Sequence, residues 1–155
     1  MIPEDFKNIE IIIGSPPCQE FSVANNNPNI NKGMELIKEF LKWIEIINPK
    51  FWIMENVPQT TNYLKKRIKD FNFHRILVLN SANYGVPQKR KRCFAGKYGV
   101  PIPTHSKIGQ INLLGEELKQ WRTVLDAIGN IMDIKPNQSL ELGWFENSKK
   151  WRKEI

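Results

Sequence analysis

Four residues could do chemistry together: a cysteine, a glutamate and two arginines, each beside a short apolar run. Cys18 stands in GSPPCQEFS, directly after two prolines and close behind the run IEIIIG. Glu55 lies near the end of FWIMEN, and Arg90 and Arg92 lie in the basic stretch QKRKR. A thiolate attacks electron-poor carbon, a carboxylic acid donates a proton, and a guanidinium grips a planar acceptor with two donors. The set suits covalent addition to an electron-poor planar ring.

Each feature has a plainer explanation when it is taken alone. A single cysteine is more often an inert buried residue, and we expect Cys93, inside an apolar run, to be one. A Glu-Asn pair before proline is more often turn chemistry, and a run such as QKRKR is more often a solvated surface. His74 and His105 are too few and too unpatterned for a zinc site or a Cys-His protease, so we expect no metal.

The elements that must position these residues alternate between strand and helix. Apolar runs predict strands at Ile9–Gly14, Phe51–Asn56, Phe73–Asn80 and Arg92–Tyr98, the first two buried on both faces. Helical spacing predicts helices over 34–47 and 61–71 and a short one near 121–132, and the Asn-rich stretch Ser22–Gly33 predicts a loop. This alternation predicts an α/β fold with a partial doubly wound, mainly parallel sheet.

The predicted strand ends bring the reactive residues to one place. Ligands and chemistry in open α/β sheets lie at the carboxyl ends of the strands. Cys18 follows the first strand, Glu55 and Asn56 end the second, and 81–92 follows the third. The sequence therefore predicts that the cysteine, the carboxylate and the arginines converge.

Composition favours an anionic partner. The 155 residues suit one domain, and the formal net charge is +7 with a pI of about 9.5. Basic residues concentrate at Leu64–Asp70, Gln88–Arg92 and Ser148–Glu154, which indicates nucleic acid or, more plainly, a lysine-rich solvated surface. No apolar run approaches the ~20 residues of a membrane span, and the start lacks a signal-peptide layout. Two cysteines form no disulfide framework, so we expect a cytoplasmic, reduced protein.

Three motifs in order resemble the DNA (cytosine-5) methyltransferase family. GSPPCQEFS is similar to the family's Pro-Cys-Gln motif, FWIMENVP to its Glu-Asn-Val motif, and NYGVPQKRKRCF to its Gln-x-Arg-x-Arg motif. The stretch from VPIPTHS to WRTVLDAIG is similar to the segment that leads toward target recognition, so the resemblance runs from about Ile11 to Gly129. It implies the Rossmann-like sheet of S-adenosylmethionine-dependent methyltransferases.

The resemblance also implies a role for each matching residue. Cys18 would add to C6 of a cytosine flipped out of duplex DNA, Glu55 would protonate or hydrogen-bond N3, and Arg92 would hold O2. Asn56 would brace the site, and Arg90 would support the cysteine and glutamate side of the pocket. S-adenosylmethionine would donate the methyl group, in a restriction–modification setting. Further contacts are implied with DNA by Gln19, Ser22 and Gln88, and with the cofactor by Pro17 and Leu36.

Two family features are missing from this sequence: the glycine-rich cofactor motif and the target-recognition domain. We therefore expect residues 1–100 to form a partial catalytic core and 101–155 to lead toward a recognition region. The chain is interpreted as one subunit of a split enzyme whose second polypeptide supplies the missing strands, as a degenerate remnant, or as a fragment. The alternative function is a non-catalytic DNA-binding remnant or regulatory partner; a cysteine hydrolase or redox protein has little support.

Overall fold

The computed structural model describes residues 2–6, 8–112 and 114–129. In chain order its helices and strands are β1 (Ile11–Gly14), α1 (Ile30–Ile47), β2 (Phe51–Asn56), α2 (Thr60–Arg67), β3 (Arg75–Asn80), β4 (Lys91–Lys97), β5 (His105–Ser106), β6 (Lys119–Gln120) and α3 (Val124–Ile128). Short 3₁₀ turns cover Pro3–Asp5, Gln19–Phe21 and Ser81–Tyr84. Within these ranges no helix has the length and apolar character needed to cross a membrane.

The main sheet has four strands in the order β1-β2-β4-β3. β1 pairs in parallel with β2, whereas β4 runs antiparallel to both of its neighbours. β1, β2 and β3 therefore share one direction, which agrees with the predicted α/β fold, while β4 makes the sheet mixed. Because β4 runs the other way, it begins at the edge where the other three strands end. The predicted convergence of the strand ends thus includes the arginines before and within β4.

The core lies on one face of the sheet. Both long helices contribute apolar side chains to a cluster that contains Ile37, Leu41, Ile44, Trp52, Met54, Leu64, Cys93 and Ala95. Cys93 is fully buried there, as predicted. Facing residues of β2 and β4, such as Met54 and Ala95, are register partners, so the buried side chains alternate along both strands.

The prediction that the first two strands are buried on both faces is wrong. Ile11, Ile13 and Phe51 keep 57%, 72% and 42% of their surface exposed. β1 is an edge strand of the sheet that the described residues form, and α1 and α2 both pack on its other face. Alternate side chains of β1 and β2 therefore point away from the helices and remain open to solvent.

Several predicted boundaries also shift. The predicted loop Ser22–Gly33 is too long, since α1 begins at Ile30, where the Asn29 side chain accepts a hydrogen bond from the Lys32 N–H (3.1 Å). The predicted helix over 61–71 ends at Arg67, and the apolar runs of β3 and β4 pair over slightly different residues than predicted. Residues 130–132 of the predicted helix near 121–132, and the basic stretch Ser148–Glu154, lie outside the described residues.

Candidate active site

The loop of residues 15–18, which we call the nucleophile loop because Cys18 is the predicted nucleophile, begins where β1 stops pairing. The last parallel pair of β1 and β2 is Gly14 with Met54, and a Cβ at Gly14 would overlap the Phe40 ring. The next residues include Pro16 and Pro17, which have no N–H to continue the ladder. Cys18 follows them with an exposed side chain. The change from strand to proline-fixed loop thus presents the thiol at the carboxyl edge of the sheet.

A short turn behind Cys18 is anchored on α1. Its first hydrogen bond runs from the Phe21 N–H to the Cys18 carbonyl (3.0 Å), and the Phe21 ring is buried. A Cβ built on Gly33 would stand 2.7 Å from that ring, so the close approach requires glycine in the first turn of the helix. The Glu20 carboxylate accepts a hydrogen bond from the Asn29 N–H (2.6 Å). The turn is therefore fixed to the start of α1 by packing and by a charged hydrogen bond.

The Glu55 carboxylate is held at both oxygens. Oε1 lies 3.0 Å from Nε of Arg92, at the start of β4. Oε2 accepts a hydrogen bond from the Ser15 hydroxyl, also at 3.0 Å. The Glu55 and Arg92 side chains remain partly exposed, so the carboxyl group is oriented and still accessible. A ligand that approaches this edge of the sheet would therefore meet a carboxyl group whose orientation is fixed.

The neighbouring Asn56 side chain ties three segments together. Its Nδ2 donates to the Pro16 carbonyl (3.0 Å) in the nucleophile loop. Its Oδ1 accepts hydrogen bonds from the Thr60 hydroxyl (2.8 Å) and the Val57 N–H (2.9 Å). Both Asn56 and Thr60 are buried. A buried, satisfied amide of this kind rigidifies its surroundings, here the loop that carries Cys18.

The segment of residues 88–92, which we call the arginine segment, is closed by hydrogen bonds to one serine. Ser81 donates from its hydroxyl to the Gln88 carbonyl (2.7 Å) and from its N–H to the Arg90 carbonyl (3.0 Å). A cavity of about 380 Å³ opens beside it, lined by Glu55, Leu79, Ser81, Tyr84, Val86, Arg90, Arg92, Phe94 and Pro101. Partial burial raises the pKa of Tyr84, so its hydroxyl stays protonated at neutral pH. The cavity thus combines one acid, two guanidiniums and apolar walls, a common composition for a small-ligand site.

The structure brings together most of the residues predicted for catalysis. Glu55, Arg90 and Arg92 line the cavity, and Asn56 contacts the loop that ends in Cys18. The thiol itself is exposed and does not line that cavity. The site is therefore a carboxyl–guanidinium cavity, with the exposed Cys18 thiol in the loop after the adjoining strand end.

The residues predicted to contact DNA and the cofactor keep part or all of their side chains at the surface. Gln19 and Gln88 are exposed, and Ser22 is half-buried with its hydroxyl accepting from the Ala24 N–H (3.2 Å). Pro17 and Leu36 are exposed and lie outside the carboxyl–guanidinium cavity. None of these side chains is buried in the core, so all are available to a ligand.

Ser15 and Thr60 are functional candidates that the sequence prediction missed. Ser15 directly follows the last paired residue of β1, and the register of Gly14 with Met54 places it opposite Glu55. The sequence carries no signal for this contact, because the register is fixed only once the two strands are paired. It carries none for Thr60 either, because Thr60 meets Asn56 only through the first turn of α2.

The described residues contain no group of three or more histidine, cysteine, aspartate or glutamate side chains that could hold a metal ion. Burial raises the pKa of the Cys93 thiol, which keeps that cysteine protonated in the core. Of the two cysteines, Cys18 is the one with an exposed side chain.

The fold and the site define a class of protein: an α/β protein that brings a thiol, a carboxyl group and two guanidinium groups to one edge of a sheet. Its fold is shared with a solved structure, the Entamoeba histolytica methyltransferase EhMeth (TM-score 0.50, 21% identity), over 87% of this chain and 42% of that one. The sequence matches the family of C-5 cytosine-specific DNA methylases over residues 2–154. The chain belongs to this family.

Named relatives are type II methyltransferases. M.AquIA of Picosynechococcus sp. is 34% identical over 162 residues, which cover 86% of this chain and 65% of that protein. M1.HphI of Haemophilus parahaemolyticus is 30% identical over 151 residues, covering 86% of this chain and 37% of that protein. The chain thus spans between about a third and two thirds of the length of these two relatives.

Proposed function

We propose that this chain is the catalytic part of a DNA (cytosine-5) methyltransferase that acts through a covalent bond to Cys18. The observation that carries the proposal is the Glu55 carboxyl group, held between Ser15 of the nucleophile loop and Arg92 of β4. An acid oriented in this way, one strand away from an exposed thiol, suits attack on a ring that must be protonated as it is attacked.

The proposed reaction begins with a bond from the Cys18 sulfur to C6 of the cytosine. The electron pair of the C5–C6 double bond moves to form a C4–C5 double bond, and the electron pair of the C4–N3 double bond takes the proton that Glu55 donates to N3. The enamine formed in this way is nucleophilic at C5. Arg92 holds O2 of the base. C5 then takes the methyl group from the sulfonium sulfur of the donor, which is left as a thioether. The C5 proton passes to solvent water, N3 returns its proton to the Glu55 carboxylate, and the C5–C6 double bond forms again as the S–C6 bond breaks and releases the thiolate. Asn56 and Arg90 keep the loop and the pocket in place during these steps.

DNA binding in this proposal uses the exposed residues around the cavity. A cytosine within a stacked duplex cannot reach Cys18, so the base must be flipped out. Gln19 and Ser22, beside the nucleophile, would contact the DNA next to the extruded base, and Gln88 would do so from the arginine segment. The cytoplasm, where a free thiol persists, suits this chemistry.

The cofactor site of the chain is only partly formed. S-adenosylmethionine, when bound, supplies the methyl group. It carries a ribose and a charged amino-acid part that need polar partners, whereas Pro17 and Leu36 offer apolar contact. These two residues fit one part of the molecule, and we assign the remaining contacts to a second polypeptide.

The open edge of β1 is the proposed docking place for that second polypeptide. Within the described residues no strand pairs with this edge beside Ile11 and Ile13, and Phe51 extends the exposed apolar surface onto β2. Exposed edges of this kind readily pair with another strand. A strand added in parallel to β1 would lie next to the nucleophile loop, where cofactor contacts are needed.

The function is tested by looking for 5-methylcytosine. The chain, alone and co-expressed with the reading frames that flank its gene, is incubated with S-adenosylmethionine and duplex DNA of mixed sequence, and the nucleosides are analysed by mass spectrometry. We expect 5-methylcytosine with the wild-type chain and none with Cys18→Ala. DNA binding without any 5-methylcytosine in every combination would support a non-catalytic DNA-binding protein instead.

A further inference from the structure

Two side-chain hydrogen bonds continue the β1–β2 pairing after the backbone ladder has stopped. The last backbone pair is Gly14 with Met54. The next two residues of each segment are then joined in register: the Ser15 hydroxyl donates to Glu55 Oε2, and the Asn56 Nδ2 donates to the Pro16 carbonyl, each at 3.0 Å. The acid and the nucleophile loop are thus joined by two consecutive contacts.

We propose that Ser15 is a positioning residue for Glu55 in the transfer reaction. The inference rests on the proposed function and concerns a contact that the three sequence motifs do not assign. Ser15 is exposed, so its hydroxyl is not needed to satisfy a buried group. Its hydrogen-bond partner is instead the carboxyl group that must face the base.

A hydroxyl suits this position because it both donates and accepts a hydrogen bond. Ser15 can donate to the Glu55 carboxylate and can accept from Glu55 when the acid is protonated. Arg92 has donors only, so it can contact Glu55 only at an oxygen that accepts. Ser15 can contact the same oxygen whether or not that oxygen carries the proton, and it can therefore keep the acid oriented toward the base while the proton moves.

The kinetic test compares Ser15→Ala with Ser15→Thr. The rate of covalent adduct formation is measured with S-adenosylmethionine, on duplex DNA in which every cytosine is 5-fluorocytosine. We expect Ser15→Ala to slow the reaction about tenfold, the usual effect of losing a hydrogen bond to a charged group, with unchanged DNA affinity. Ser15→Thr keeps the hydroxyl and restores the rate. Wild-type speed in Ser15→Ala, or a Thr variant as slow as the Ala variant, overturns the proposal.

A spectroscopic test decides the proposal even where no adduct forms. The side-chain carboxyl ¹³C resonance of Glu55 is recorded at one fixed pH in the wild type and both variants. We expect Ser15→Ala to move this resonance and Ser15→Thr to leave it near the wild-type position. An unmoved resonance in Ser15→Ala rejects the contact. A wild-type chain that forms no adduct while the resonance does move counts against the proposed function and leaves Ser15 as the partner of Glu55.

Discussion

The pairing of Glu55 with Arg92 is the residue-scale feature on which the proposed chemistry depends. Strand order and motif order predict that the two side chains meet, and they do, at 3.0 Å. The sequence could not predict the second partner, Ser15, because a serine before two prolines has many ordinary uses. Only the register of β1 with β2 places its hydroxyl opposite Glu55.

Arg92→Lys tests the geometry of this pair. A lysine keeps the charge but loses the planar guanidinium, whose Nε contacts Glu55 Oε1 and which we propose also holds O2 of the base. We expect adduct formation with 5-fluorocytosine DNA to slow about 10- to 100-fold. The free energy of unfolding should change by less than about 1 kcal/mol, because a partly exposed ion pair contributes little. Arg75→Lys, on β3 at the Tyr98 carbonyl, is the matched control; equal slowing in both variants would contradict the assignment.

The two cysteines should differ sharply in reactivity. Cys18 is exposed, whereas burial raises the pKa of the Cys93 thiol and shields it. We expect iodoacetamide at neutral pH to alkylate Cys18 in the folded chain and to leave Cys93 unmodified until denaturant is added. Mass spectrometry of the digested protein gives the two rates. Comparable labelling of both thiols before unfolding would refute the assignment of Cys93 to the core.

At the level of the helices and strands, the main feature of the site is the packing of the short turn behind Cys18 against α1. The strand positions and the amphipathic helix could be predicted from apolar spacing. The start of α1 could not, because asparagine is typical of both loops and helix caps, and only Asn29 lies where its side chain accepts from Lys32. The anchoring of Phe21 on Gly33 is a tertiary contact that local propensity does not encode.

Gly33→Ala tests this anchoring. Alanine improves helix propensity by up to about 1 kcal/mol, but overpacking at 2.7 Å from the Phe21 ring costs about 1–3 kcal/mol, so we expect a net loss of about 1 kcal/mol. Urea unfolding of Gly33→Ala measures the change. Gly99→Ala, where an added Cβ meets nothing within 4 Å, is the control and should stay near the wild type. A Gly33→Ala variant more stable than the wild type would show that Phe21 does not pack there.

For the whole molecule, the important feature is that the described residues leave one face of the main sheet and its β1 edge uncovered. An apolar run such as IEIIIG has the same hydrophobic pattern whether the chain's own helices or another polypeptide cover it. The sequence therefore predicted the strand, but the prediction that both of its faces are buried was wrong. The exposure of Ile13, at 72%, becomes visible only once both helices are placed on the other side.

Ile13→Ser tests whether the β1 edge of the sheet promotes association between copies of the chain. Removing an exposed apolar side chain from an open strand edge should reduce association. We expect the wild-type chain to self-associate at micromolar concentration in sedimentation velocity, and Ile13→Ser to remain largely monomeric. Ile108→Ser, at a side chain of similar exposure (68%) outside the sheet, should behave as the wild type. Equal effects of both substitutions would mean that general surface hydrophobicity, and not the β1 edge, drives the association.

Covalent capture of the chain on DNA tests the central claim most directly. The chain, with the co-expressed flanking products, is mixed with S-adenosylmethionine and duplex DNA carrying 5-fluorocytosine, whose C5 fluorine replaces the proton that must leave. We predict a complex that survives denaturing electrophoresis, persists in Cys93→Ala and disappears in Cys18→Ala, with the DNA attached to the peptide that contains Cys18. An adduct that survives in Cys18→Ala, or 5-methylcytosine formed without any adduct on 5-fluorocytosine DNA, would contradict a covalent role for this thiol.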